Sequence, residues 1–198
     1  MRRISVSSAR FAPAESLLAA SHARARLIGS RDDVLVGVLL RALADLRRRE
    51  GRFPEAESLL AESHAALETA AVPDSRENAR ALLDLGMLLD EEGRKDEGVP
   101  ALRRCLEESA RAGLDQERLG AVARVHLACC LTGPAGTEQA GEAVRLWEQG
   151  KKILLARPSS IPVDLEGRTF SHAIAFLEGS GRSSEAAGVR AMLAAESP

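Results

Sequence analysis

The residues best placed to do chemistry in this 198-residue chain lie within one short run, His126-Leu127-Ala128-Cys129-Cys130. On a helix, side chains three and four positions apart share a face, so His126 falls near both thiols. Such a grouping has two uses, zinc ligation or a histidine-activated thiol nucleophile. Zinc needs four ligands in a structural site, or three and a water in a catalytic one. No further ligand stands at a recognisable spacing, so the sequence favours core packing, where free cysteine behaves as a small hydrophobe. A metal- or thiol-dependent enzyme at His126, Cys129 and Cys130 is kept as the weakest alternative. No Gly-rich phosphate loop, nucleophile elbow or metalloprotease motif is present.

Composition narrows the classes further. Lys and Arg total 27 against 29 Asp and Glu, a net charge of -2, which gives no electrostatic reason for nucleic acid as partner. Tyr is absent and aromatics are 3%, which removes the platforms used for base stacking. No apolar stretch is long enough to span a bilayer. Cys105, Cys129 and Cys130 make no disulfide framework, and reduced thiols point to a cytoplasmic setting. Good helix formers, Ala, Leu, Arg and Glu, dominate the chain.

What positions these residues is an internal repeat. Phe11–Ala23 and Phe53–Ala65 are identical at ten of thirteen positions, at an offset of 42. A further step of 42 carries Gly51 onto Gly93, Glu55 onto Glu97, Leu60 onto Leu102 and Leu46 onto Leu88. Another carries Leu85 onto Leu127 and Leu89 onto Leu131. Each period reads as two amphipathic helices. Leu39, Leu40, Leu43 and Leu46 recur at helical spacing, Gly51 marks a left-handed stop, and Pro54 suits the first turn of the next helix. Pro100 predicts a kink or delayed start in the helix over 96–110. The alternation of small residues (Ala44, Ala56, Gly86, Ala128) with large ones predicts close helix packing.

These residues resemble the tetratricopeptide repeat, in its 42-residue form seen in kinesin light chains and bacterial regulators. They are Leu43-Ala44, Leu46, Gly51-Arg52-Phe53, Glu55-Ala56 and Leu60, then Leu85-Gly86, Leu88, Gly93-Arg94, Glu97-Gly98 and Leu102. Leu127-Ala128 with Glu142-Ala143 and Trp147, and Phe170, Ile174, Leu177 and Gly181 with Glu185-Ala186, extend the pattern. The resemblance implies an all-α fold, a right-handed α-α superhelix of about four helical hairpins preceded by an N-terminal half-repeat. The expected organisation is a flexible tail over 1–10, a half-repeat over 11–30, and repeats over 31–72, 73–114, 115–160 and 161–196.

The resemblance also implies a function: a non-enzymatic scaffold or adaptor holding a peptide or helix of a partner protein in a concave groove. Projected onto this chain, the groove positions are Arg41, Asp45, Arg48, Arg80, Asp84, Met87, Glu91, His126, Cys129 and His172. They read as basic toward the N-terminal end and acidic in the middle. No catalytic residue, metal or cofactor is expected, and neither nucleic acid nor membrane is an expected partner. The alternative is an oligomerising regulatory or sensor module of a bacterial signalling or transcription system, self-associating through the half-repeat.

Overall fold

The leucine spacing produces helices wherever the chain is described. The computed structural model describes Ser16, Ala20 and residues 33–114, 117–131, 138–156 and 163–196. The half-repeat over 11–30, apart from Ser16 and Ala20, and the Gly133–Gly136 insertion lie outside the described residues. Eight helices are found among the described residues. They are α1 (Asp33–Arg49), α2 (Phe53–Thr69), α3 (Ser75–Glu91), α4 (Lys95–Arg111), α5 (Arg118–Cys130), α6 (Glu138–Ala156), α7 (Val163–Gly179) and α8 (Ser183–Glu196).

Glycine sets the turn inside the α1–α2, α3–α4 and α7–α8 hairpins. Gly51 has φ +76°, its N–H bonds the Arg48 carbonyl at 2.9 Å, and the Arg52 N–H returns to the Arg47 carbonyl at 2.9 Å. This pair of bonds satisfies carbonyls that the end of α1 would otherwise leave orphaned. Gly93 and Gly181 repeat the geometry, at φ +77° and +76°. The arginine after each glycine then closes onto the start of the second helix, Arg52 on Glu55, Arg94 on Glu97 and Arg182 on Glu185.

The hairpins α1–α2, α3–α4, α5–α6 and α7–α8 stack in chain order. The first helices also touch in sequence, α1 on α3, α3 on α5 and α5 on α7, and so form one continuous row. The second helices lie against that row as an outer layer. Leu40, Leu43, Leu60, Leu82, Leu88, Leu102, Val125, Leu127, Trp147 and Leu177 fill the space between the layers. Where α3 meets α4, a methyl on Gly86 would sit 2.5 Å from Leu102 Cγ, so the glycine gives Leu102 its place. A methyl on Gly98 would lie 3.2 Å from the Gly86 carbonyl oxygen. The absence of a side chain at Gly98 thus lets α3 and α4 approach closely.

Pro100 does not delay its helix. Helix α4 begins at Lys95 and runs through Pro100 to Arg111. The proline lacks the N–H that would bond the carbonyl of Asp96, but both residues are exposed and water can reach that carbonyl. Burial of Ala101, Leu102 and Cys105 directly afterwards favours continuing the helix past the proline.

Candidate functional site

The predicted groove residues separate into two clusters along the row of first helices. The N-terminal cluster joins α1 to α3. Arg41 reaches both Glu77 and Asp84, each at 3.3 Å, and Arg48 reaches Glu91 at 3.5 Å. Asp45 accepts from Arg48 and Arg49, each at 2.8 Å, and Arg80 pairs with Glu77. Burial alone would raise the Asp45 carboxyl, but bonds from Arg48 and Arg49 outweigh it and hold the group below its ordinary value. The basic end and the acidic middle expected of the row therefore face each other directly. These charges meet across α1 and α3 and neutralise one another, because stacking brings the facing residues of adjacent first helices into ion-pair range. Met87 is 2% exposed and walls a pocket of only about 20 Å³ with Asp45, Arg48 and Asp84.

The C-terminal cluster is the more distinctive. Asp90 in the last turn of α3, His126 of α5 and His172 of α7 converge. Asp90 Oδ2 lies 2.6 Å from His172 Nδ1 and 3.5 Å from His126 Nδ1. The two imidazole rings sit 5.2 Å apart, and His126 Nε2 lies 3.3 Å from the hydroxyl of buried Thr169. The Asp90 side chain is 1% exposed, as is that of His126, whereas His172 keeps 27%. Burial pushes the Asp90 carboxyl up, but hydrogen bonds from His126 and His172 outweigh it and keep the group well below the carboxylate range. Asp90 is thus a buried anion held by two rings from the next two hairpins.

Beside this cluster opens a cavity of about 400 Å³, lined by Asp90, Lys95, Cys129, Leu131, Ser171, His172, Ala175, Phe176, Gly179 and Ser180. Leu131 and Gly179 stand at the C-terminal ends of α5 and α7, and Asp90 near that of α3. The last turns of α3 and α5 therefore bring their partial negative charge to the cavity, and α7 lines it from Ser171 to Gly179. Lys95 answers part of it by donating to the Cys129 carbonyl at 3.3 Å.

The cysteines lie in the core, the reading the sequence favoured. Cys105, Cys129 and Cys130 are all buried and free. Burial, followed by the negative charge of Asp90, pushes the Cys130 thiol up to about 12, and Cys129 rises for the same reasons. A thiol so protonated is a poor nucleophile and a poor ligand. Among the described residues, the metal-competent grouping that includes His126 contains Asp90 and His172 and neither cysteine. Sequence reasoning found His126 and His172 but missed Asp90. The residue ends an ordinary amphipathic helix, and its repeat counterpart is Arg48, so nothing in the pattern marks it as buried.

Known proteins agree with this architecture. Residues 35–107 match the profile of the tetratricopeptide repeat family. This segment is made of tetratricopeptide repeats. Among solved structures, the chain is similar to BtubC (BKLC) from P. vanneervenii, at 21% identity and a TM-score of 0.53. The alignment covers 93% of this chain and 92% of that one, so the helical-repeat fold extends beyond the matched segment. No curated sequence relative matches. The fold class read from the sequence is therefore the observed one, an all-α helical repeat.

Proposed function

We propose that this protein is a non-catalytic interaction scaffold that holds a peptide segment or helix of a partner protein against the row α1, α3, α5 and α7. Tetratricopeptide repeats are protein-interaction modules, and the reading rests above all on the cavity beside Asp90. Its apolar floor of Leu131, Ala175 and Phe176 is bounded by polar Lys95, Ser171 and His172. An apolar floor with a few convergent polar groups is what a bound side chain needs. The paired charges of Arg41, Arg48, Asp84 and Glu91 make the N-terminal end of the row less suited to the task, since each would have to give up a partner first. The net charge of -2 speaks against nucleic acid. Among the described residues no helix is long and apolar enough to cross a membrane. Three free buried thiols favour a reducing, cytoplasmic setting.

The test is capture of partner proteins from the native cell by the wild-type chain and by Ala175→Arg. Ala175 is exposed and lines the cavity, so an arginine there fills the cavity without entering the core. The expected result is loss of the specific partner with helicity unchanged. Undiminished capture removes the cavity from the account.

A second reading, self-association at the N-terminal end, is favoured by Leu35, which is 49% exposed on α1. Mass in solution over a wide concentration range decides it: Leu35→Glu should lower the mass of any assembly that forms there.

A further inference from the structure

We propose that Asp90, His126 and His172 form a binding site for a divalent transition metal of the zinc class, with the fourth coordination position facing the cavity. The donor set is two imidazoles and one carboxylate, drawn from three successive hairpins, and all three ligand atoms lie within 4.8 Å of one another. Two nitrogens and one oxygen suit zinc and its neighbours, whereas calcium and magnesium prefer all-oxygen shells.

Zinc bonds of about 2.0–2.2 Å in a tetrahedral arrangement place ligand atoms about 3.4 Å apart. His126 Nδ1 and Asp90 Oδ2, at 3.5 Å, already have that separation. His172 Nδ1, at 2.6 Å, must move outward to about the same distance, and its half-exposed ring on the cavity wall has room to turn. On binding, the metal replaces the proton shared between His172 Nδ1 and Asp90. In a neutral ring that proton moves to Nε2, and in a protonated ring it leaves to solvent, so in either case the metal meets a neutral imidazole with its N–H on Nε2.

Three surrounding features favour a cation here. Asp90 is a buried carboxylate whose side-chain partners among the described residues are the rings of His126 and His172. The last turns of α3 and α5, which carry Asp90 and the Cys129 carbonyl, add partial negative charge. The hydroxyl of Thr169, beyond His126 Nε2, can accept that ring's remaining N–H and so fix Nδ1 as the metal-facing nitrogen. Lys95 is the competing cation, and it is engaged by the Cys129 carbonyl at 3.3 Å.

The experiment is titration of the purified, chelator-treated full chain with Co2+ and then Zn2+, followed by visible absorption and by the melting temperature. One equivalent of Co2+ should give ligand-field bands without a sulfur-to-metal charge-transfer band, and Zn2+ should displace it and raise the melting temperature. His172→Ala, which removes a half-exposed ring, should weaken binding at least ~10-fold while leaving the metal-free helicity unchanged. Thr169→Val, close in shape, should weaken it by ~10–100-fold. Cys129→Ser should bind as the wild type does. The proposal is overturned if no saturable uptake occurs, if uptake is indifferent to His172→Ala, or if a thiolate band appears. None of these outcomes bears on partner capture, so this site and the scaffold reading stand or fall separately.

Discussion

Gly150 offers a sharp test of how the hairpins pack. It is buried in α6, and a β-carbon built on it would lie 2.8 Å from the Ala121 carbonyl oxygen and 2.9 Å from Val125 Cγ2 of α5. Backbone cannot swing aside as the end of a side chain can, so Gly150→Ala must push α6 away from α5. The helix gains about 1 kcal/mol from replacing glycine in its interior. Overpacking against a fixed carbonyl costs about 1–3 kcal/mol, and the loosened Val125 contact adds to it. The expected net effect is a loss of about 1–2 kcal/mol. Gly188 in α8 is the control, because a β-carbon there meets nothing within 4 Å. Gly188→Ala should keep the propensity gain and stabilise by about 0.5–1 kcal/mol. In a chain of this size the first variant should melt about 2–8 °C lower and the second about 1–4 °C higher, followed by circular dichroism. If both substitutions raised the melting temperature equally, the close approach of α5 and α6 would be refuted.

Three further outcomes follow from the same geometry. Gly93→Ala, at φ +77° with open space around it, should cost about 1–2 kcal/mol through backbone strain alone, read from urea unfolding. Glu142, Glu148 and Glu185 are held below their ordinary value, chiefly by Arg103, by Lys151 and Arg182, and, for Glu185 against a larger opposing burial effect, by Arg182 and Lys151. A depressed folded value gives stability that is present above the unfolded value near 4.5 and lost as pH falls through the folded one. The melting temperature should therefore be flat from about pH 7 to 5 and decline below about pH 4.5, with a shallower decline for Arg182→Met. The three thiols should resist an aromatic disulfide reagent at neutral pH in the folded chain and react fully in denaturant. Fast reaction of any one in the folded state would contradict its burial.

The repeat made most of the fold legible. Identity at an offset of 42 placed Gly51 and Gly93 at equivalent turns, and both adopt the left-handed conformation that the pattern required. Heptad-like leucines gave the buried stripes, and the small residues gave the close contacts. What stayed hidden depends on neighbours distant in sequence. Arg41 and Asp84 each look like groove charges until α1 and α3 are stacked, when they become partners. Met87 and Cys129 sit on the first helices as projected, yet they are turned far enough into the layer to be almost wholly buried. Asp90 and His172 are 82 residues apart, and no local spacing rule connects them. Pro100 misled on where its helix starts, because burial of Ala101, Leu102 and Cys105 in the next turn keeps the helix going from Lys95.

Photo-crosslinking from single positions is the most direct check on where a partner lies. A photoreactive residue at Ser171, on the row of first helices beside the cavity, should join the chain to its captured partner. The same group at Glu107, exposed on outer helix α4, should not. Crosslinks arising from Glu107 and absent from Ser171 would put the partner on the opposite layer and contradict the account.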